Sequence, residues 1–289
     1  MDLTADNYYS KEADSKYMSV SQYKVWNKCN ALGFAKYCSD EYVKLEESGI
    51  ITRDKTPLIM GNFVGTKWEG EEAHEQFKLE HPEIISTRGA SKGQLKSDYK
   101  LGELMYDRTF NDNLFRQSMT GEHEVIITFN MFGVMWKCRL DVLNIEEKRI
   151  VDLKTTKDFK ESYGIVHGQS GYYPFYEIWN YPLQLAVYQK AGLIEYGITF
   201  DMFISAVTKQ KIPDFDVIDF DKYEWDERFK FELDQVEINL PHIMDVKAGK
   251  EMPERCEECE YCIATKKLLE PTVVTPVFVP ESEFSLDIN

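Results

Sequence analysis

Nowhere does the sequence run to 18 consecutive apolar residues, which excludes a helical membrane span. It also lacks a leader pattern: the opening MDLTADNYYSKEADSKYMS is polar, without a basic stretch followed by an apolar one, so we expect a cytoplasmic protein. Cysteine is scarce, with 6 in 289 residues, too few for a disulfide scaffold; in a reducing compartment these are thiols or ligands. There is no internal repeat and no low-complexity tract. Positive charge is short as well: 34 Lys+Arg against 50 Asp+Glu leave a formal net charge of −16. Such a surface repels DNA, RNA and anionic membranes unless basic residues are concentrated locally, so any polyanionic partner needs a specific reason. What is present is a globular composition, 43% hydrophobic and 13% aromatic, in a length that suits one elaborated domain.

Residues 1–18 read as an N-terminal tail and 269–289, with Pro271, Pro276 and Pro280, as an extended C-terminal one, which leaves 19–268 as the folded body. Ser19 is placed to cap a helix running to about residue 48, with Val25, Cys29, Leu32 and Lys36 on one stripe. Further helices are predicted over about 58–79 and 94–119. From Glu122 the period changes to two. Val125, Ile127 and Phe129, a turn at Asn130-Met131-Phe132-Gly133, and the alternation of Val134, Trp136, Cys138 and Leu140 with Met135, Lys137, Arg139 and Asp141 predict a β-hairpin. A third strand over 149–154, a helix over 182–191, a fourth strand over 198–209 and an amphipathic helix over 222–247 complete the pattern. The expectation is a single α/β domain: a mixed sheet with a β-β-β-α-β core flanked by helices, preceded by an N-terminal helical region.

Chemistry concentrates in "CRLDVLN" and "IVDLKTT". Strand alternation puts Asp152 and Lys154 on one face, and the short turn Asn144–Glu147 pairs their strand with the one that ends at Asp141. Two acids and a lysine thus converge at one end of a sheet. Hard divalent cations take oxygen ligands, and Mg²⁺ (or Mn²⁺) commonly uses one or two carboxylates plus phosphate oxygens and water. A neighbouring lysine can orient or deprotonate a water, or steady developing negative charge. An Asp-x-Lys pair at a strand end also serves as a plain surface salt bridge. Ile150, Val151 and Leu153 nevertheless make this a core strand, where charged side chains need a reason.

The order Asp, about ten residues, then Asp-x-Lys resembles the PD-(D/E)XK nuclease superfamily. In order along the chain, "YMSVSQYKVWNKC", "LIMGNFVGTKWEGEEAHEQFKLEHPEI", "GEHEVIITFNMFGVMWKCRLDVLN", "IVDLKTT", "YPLQLAVYQKA" and "CEECEYC" are similar to the RecE-type, exonuclease VIII-like phage exodeoxyribonuclease family, over about residues 7–268. The resemblance implies a restriction-endonuclease-like fold and a Mg²⁺-dependent exonuclease that degrades one strand of linear duplex DNA from an end, leaving single strands for recombination by annealing. It implies Asp141 and Asp152 as metal-binding carboxylates, Lys154 as catalytic lysine, and Gln184 and Tyr188 as a Gln-x-x-x-Tyr motif on one helical face, where both reach phosphate or the lysine. Relatives carry a His four residues after a helix glycine and a Glu four further on. Here Gly65 stands in place of that His after Gly61, Glu69 matches, and Glu71, Glu72 and His74 crowd the same helix as substitutes. Glu124 either joins the metal or pairs with Arg139. His81, His123, His167 and His242 fit no pattern and read as structural or exposed. A RecT-like single-strand annealing protein as partner and a ring-shaped homo-oligomer are further implications.

Cys256, Cys259 and Cys262 form Cys-x-x-Cys-x-x-Cys, a spacing that wraps zinc or an iron–sulfur cluster. By the same resemblance, nucleases with an iron–sulfur staple take one early cysteine, so Cys29 is the expected fourth ligand, with Cys38 competing for the place and Cys138 reading as core. Two other readings of the chain stand beside the nuclease: a nucleic-acid-binding or structural protein of the same fold without catalysis, and a metal-stapled interaction module, which the charge of −16 favours. For a nuclease, Lys137, Arg139, Lys154, Lys157 and Lys160 should line one groove while the acidic excess faces outward.

Overall fold

The polar N-terminal stretch folds. In the computed structural model, which describes residues 2–268, 270–271 and 273–275, Ser10 caps a short helix, α1 (Lys11–Lys16), by accepting the Ala13 N–H. Tyr8, Ala13, Tyr17 and Met18 are buried, and Met18 exchanges backbone hydrogen bonds with Met135 and Lys137 at the sheet edge. The tail expected over 1–18 is thus corrected for residues 2–18: a few apolar side chains scattered among polar ones are enough to seat it. The extended tail expected over 269–289 falls mostly outside the described residues, Pro276 and Pro280 included.

The helix expected over 19–48 breaks into three. Ser19 does cap α2 (Val20–Lys28), accepting the Gln22 N–H. The chain then extends at Cys29 (φ −163°, ψ 112°), whose sulfur accepts the Leu32 N–H and starts α3 (Asn30–Tyr37); α4 (Glu41–Glu47) follows. The second helical region divides at Gly70, whose φ of 133° few side-chain-bearing residues adopt, into α5 (Thr56–Glu69) and α6 (Glu71–Glu80). The third divides into α7 (Ser97–Phe110) and α8 (Asn113–Ser118), the latter capped by Asp112.

β1 (Glu122–Met131) and β2 (Val134–Asn144) form the expected hairpin, closed by Phe132 and Gly133, both at positive φ (54° and 76°), which suits the right-handed strand twist. β3 (Arg149–Thr156) runs antiparallel to β2. An insertion that the sequence reading lacks follows: a separate ribbon of β4 (Ser162–Val166) and β5 (Gln169–Tyr173), then α9 (Phe175–Ile178). α10 (Tyr181–Tyr196) crosses over to β6 (Asp201–Thr208), parallel to β3, and β7 (Phe215–Phe220) is antiparallel to β6 at the far edge. The chain continues through α11 (Asp226–Lys247) to α12 (Glu260–Ala264).

The main sheet therefore has the order β1-β2-β3-β6-β7, mixed, with helices on both faces. One face carries the larger core, where Trp136, Leu140, Ile150 and Ile204 meet Trp26, Leu185, Ala186 and Leu240 of α2, α10 and α11. The other carries Val142, Val151 and Val207 against Phe63, Met105 and Phe115 of α5, α7 and α8. Among the described residues no helix is long and apolar enough to cross a membrane.

Candidate active site

The site lies where β2 and β3 part. They pair from Asn144↔Arg149 to Val142↔Val151, and the ladder stops there. Beyond it the Asp141 carboxylate turns across the gap, and its Oδ2 accepts the Leu153 N–H at 2.7 Å. The distortion begins on the neighbouring strand. Glu124, opposite Asp141, sits at φ +56°, a left-handed conformation that costs a non-glycine residue about 1–3 kcal/mol. After this pair the alternation shifts: Leu140 belongs to one core and Val142, two residues on, to the other. Asp141 occupies the kink.

Asp152 and Lys154 share the α10 face of β3. Asp152 is 1% exposed. Its Oδ1 accepts from Gln184 Nε2 at 2.9 Å, and the same amide nitrogen lies 3.0 Å from the Tyr188 hydroxyl. The i, i+4 pair on α10 thus stands on one face, as expected, and buttresses the Asp152 carboxylate. Asp152 Oδ2 forms an ion pair with Lys154 Nζ, yet no hydrogen bond of normal geometry reaches this buried oxygen. Burial raises Asp152 to about 6, against the pull of the Lys154 cation and with the help of Asp141. Burial also raises Asp141. Lys154 moves upward, into firmer protonation, because Asp152 and Asp141 together outweigh its own desolvation. Its ammonium lies 4.9 Å from the centre of the Tyr181 ring.

Two cavities meet at these residues. A cleft of about 490 Å³ is lined by Glu69, Glu124, Arg139, Asp141 and Lys154. On the other side, an inner cavity of about 200 Å³ is bounded by Tyr8, Tyr9, Lys24, Asp152, Gln184 and Tyr188. Arg139, Asp141 and Lys154 border both. Glu69, at the end of α5, is raised by burial, with Arg139 opposing the shift. Glu124 pairs with Arg139 at 2.6 Å, one of its two expected roles, and also lines the cleft. Gly65 faces the cleft, and a Cβ there would meet nothing within 4 Å.

Several expected placements are corrected. His74 does not stand in at the cleft: it is buried beside Phe63, with its Nδ1 3.0 Å from Thr66 Oγ1. Glu71 and Glu72 are absent from the cleft lining. Lys137, expected in a basic groove, is 1% exposed, and its ammonium is taken up by the Tyr8 carbonyl and, at 2.7 Å, by Asp14 Oδ1. Folding of residues 2–18 over β2 causes this. Conversely, His81 and His123 line the cleft although they matched no motif. Lys24 is also missed by sequence. Just over one turn into the amphipathic α2 it reads as surface, but it borders the inner cavity, donates to the Trp179 carbonyl at 3.0 Å and is lowered to about 8, by burial first and Lys154 second.

The cysteines make a second site. The Sγ atoms of Cys29, Cys256, Cys259 and Cys262 all lie within 4.8 Å of one another, the one set of three or more metal-ligating side chains so gathered among the described residues. Cys29 and Cys262 are 3.6 Å apart, Cys256 and Cys262 4.0 Å, and all are free thiols. The N–H groups of Leu32, Cys259 and Cys262 point at Cys29, Cys256 and Cys259 sulfurs. Backbone donors, Glu258 foremost, lower Cys256 to about 6, while burial raises Cys259 and Cys262. Cys38 lies outside the group, its sulfur near the Lys247 carbonyl, and Cys138 is buried in the sheet core.

A family model described as a PDDEXK-like domain of unknown function (DUF3799) matches residues 19–265. The chain belongs to this PDDEXK-like family. A crystal structure of a candidate exonuclease from Eubacterium rectale is similar throughout: 33% identity, covering 94% of this chain and 97% of that one, with a TM-score of 0.81. No curated protein matches. The kinked acid, the paired Asp-x-Lys and the flanking helix of this PDDEXK-like chain thus stand on a restriction-endonuclease-like fold.

Proposed function

We propose that this PDDEXK-like protein is a nuclease that hydrolyses phosphodiester bonds with the help of a divalent cation, and that it acts as an exonuclease on ends of linear duplex DNA, supplying single strands for annealing. The observation that carries this reading is the meeting of Asp141, Asp152 and Lys154 at one end of the sheet, between two cavities. The donor set fits Mg²⁺ or Mn²⁺: hard carboxylate oxygens, one of them, Asp152 Oδ2, buried and partnered by the Lys154 ammonium alone. A divalent ion held there would lower the pKa of a bound water and offset charge on the phosphate. Asp141 and Asp152 are the residues to hold it, with Glu69, which lines the cleft beside Asp141, as the third ligand.

The chain's own groups then have distinct tasks. Leu153 N–H fixes one oxygen of Asp141, leaving the other to face the cleft. Gln184, steadied by Tyr188, fixes one oxygen of Asp152 and leaves Oδ2 toward Lys154. Lys154, at the junction of the two cavities, donates to the attacking water or a phosphate oxygen. Arg139, with Glu124 beside it, gives the cleft a fixed cation for the approaching backbone.

For the cysteine site we propose one four-coordinate ion of the zinc type. Thiolates around zinc, at about 2.3 Å each, stand about 3.8 Å apart in a tetrahedron. The 3.6 and 4.0 Å separations suit that better than an iron–sulfur cage, which spreads its thiolates wider. Digestion of end-labelled linear duplex DNA with Mg²⁺ or Mn²⁺ tests the nuclease: wild type should release nucleotides and Asp152→Asn should not. DNA left intact by wild type with both ions would sink it. Metal analysis should find one zinc per chain and no visible absorption band, and a brown, iron-containing protein would reverse the cysteine assignment.

A further inference from the structure

Beside the acidic cleft lies a groove of opposite character. It has a volume of about 600 Å³ and is lined by Lys157, Lys160 and Lys209, with Asp158 the one carboxylate among its lining residues and Trp179 and Tyr181 as aromatics. It is continuous with the cleft, because Pro57, Leu58, Thr155 and Tyr181 line both. β3 supplies the connection: it carries Lys154 into the cleft and Thr155 and Thr156 into the groove, and the loop after it carries Lys157 and Lys160.

Three features distinguish this groove from an arbitrary surface dent. None of its lysines is in an ion pair among the described residues, so all three cations remain available to a ligand. Asp158 is spent on the backbone N–H of Lys160 at 3.1 Å. Lys209 is half-buried and lowered by desolvation alone, with no carboxylate opposing the shift. In a chain of net charge −16, three unmatched lysines in one groove are a local reversal of sign. Second, Trp179 is 62% exposed at the end of α9, where its backbone is fixed by Phe175 and Lys24 and its ring is left free to receive a flat partner. Third, the insertion that builds one wall is anchored at its far end, where His167 at the β4–β5 turn meets Glu232 at 3.0 Å and Arg228 bridges Glu232 and Glu177.

We infer that the groove of Lys157, Lys160, Lys209 and Trp179 is a binding track for single-stranded DNA leading to or from the cleft. The inference rests on the nuclease reading and adds the strand's path to it. Cations along a groove take the phosphates, and a base stacks on the exposed indole, a combination that binds single strands without regard to sequence. An unpaired strand suits the groove because its bases are free to stack on the indole while its phosphates meet the lysines.

The test uses fluorescein-labelled (dT)12 and the full chain without added divalent ions or chelator at low salt, read by anisotropy and by tryptophan emission. We expect the double variant Lys157→Ala, Lys160→Ala to weaken binding about tenfold and to flatten the log–log salt dependence by about 1.4, since each phosphate contact on a single strand contributes about 0.7. Trp179→Ala should weaken binding by about tenfold, in keeping with the loss of one stacked base. Trp179→Phe should restore affinity while removing most of the emission quench that binding produces, a signature that loss of folding cannot mimic. Unchanged affinity and salt slope in the double variant, or a quench that survives Trp179→Phe, would overturn the track. Because binding is read without divalent ions, and cleavage is scored separately on wild type with bis(4-nitrophenyl) phosphate and Mn²⁺, either reading can fail without the other.

Discussion

On the proposed reading the carboxylate cleft and the cysteine cluster both hold cations, and they would do so in opposite ways. Four sulfurs stand within 4.8 Å of one another in one small core with Ala31, Ala35, Tyr42 and Ile51, Cys256 half-buried at its margin, and the backbone donates into them. Glu69, Asp141 and Asp152 are not gathered in this way: a lysine is interposed, one buried oxygen has that lysine as its sole partner, and the space on both sides is open. Closed thiolate sites contribute to folding, whereas open oxygen sites keep room for water and substrate at the expense of burying charge. Stability and turnover should therefore separate cleanly between the two.

The largest effect expected is on rate. Asp152→Asn should slow DNA cleavage by at least about 1000-fold, roughly 4 kcal/mol of barrier, with an unchanged melting temperature. A variant that retains more than a tenth of the rate would remove Asp152 from the chemistry. Cys259→Ser should do the reverse, with loss of the ion and of about 3 kcal/mol of stability, read as a melting temperature lower by about 10 °C. If it melts like wild type, the cluster is not a fastening. Lys137→Ala tests a third kind of charge, one that is buried and paired at the wall of the inner cavity without belonging to either set of proposed metal ligands. It should cost about 2–3 kcal/mol by urea denaturation, since Asp14 and the Tyr8 carbonyl lose their partner, and limited proteolysis should then release residues 2–18 first. The smallest effect belongs to the cleft's empty wall: Gly65→Ala should raise stability by up to about 1 kcal/mol, because a helix gains from alanine and the added methyl meets nothing. Gly102→Ala, whose Cβ would approach Phe63 at 2.7 Å, should lower it in the same denaturation experiment.

What the sequence made legible follows from periodicity and local spacing. The β1–β2 hairpin and β3 read correctly because their alternation is regular, and Asp141, Asp152 and Lys154 could be brought together from pairing through a short turn. Cys29 came to the three later cysteines through the family resemblance; nothing local to it announces a partner some 230 residues away. The ribbon of β4 and β5 escaped notice because Tyr163, Ile165 and Tyr172 are exposed, so the apolar-in, polar-out rule does not apply to it. Helix breaks at Cys29 and Gly70 were masked by helical stripes that continue on either side. Lys137 illustrates a further limit. Its position on a strand gives a face, but only the packing of Tyr8 and α1 above that face decides between groove and interior. The same is true of the distorted Glu124, whose backbone inversion no residue type near it demands.

Cys29 and Cys262 are 233 residues apart in the chain, and the cluster that joins them sits between α2, which carries Lys24 to the inner cavity, and the segment that ends in α12. During synthesis the fourth sulfur emerges from the ribosome only after β1 to β7 and α11 have been made. Until then, α2 has no clasp at its end, and the wall that it contributes to the inner cavity lacks its anchorage. On the proposed reading the order of the residues makes the fastening of the site later in synthesis than the elements it fastens, so that a chain truncated before residue 262 carries all of Asp141, Asp152 and Lys154 but not the closure behind them.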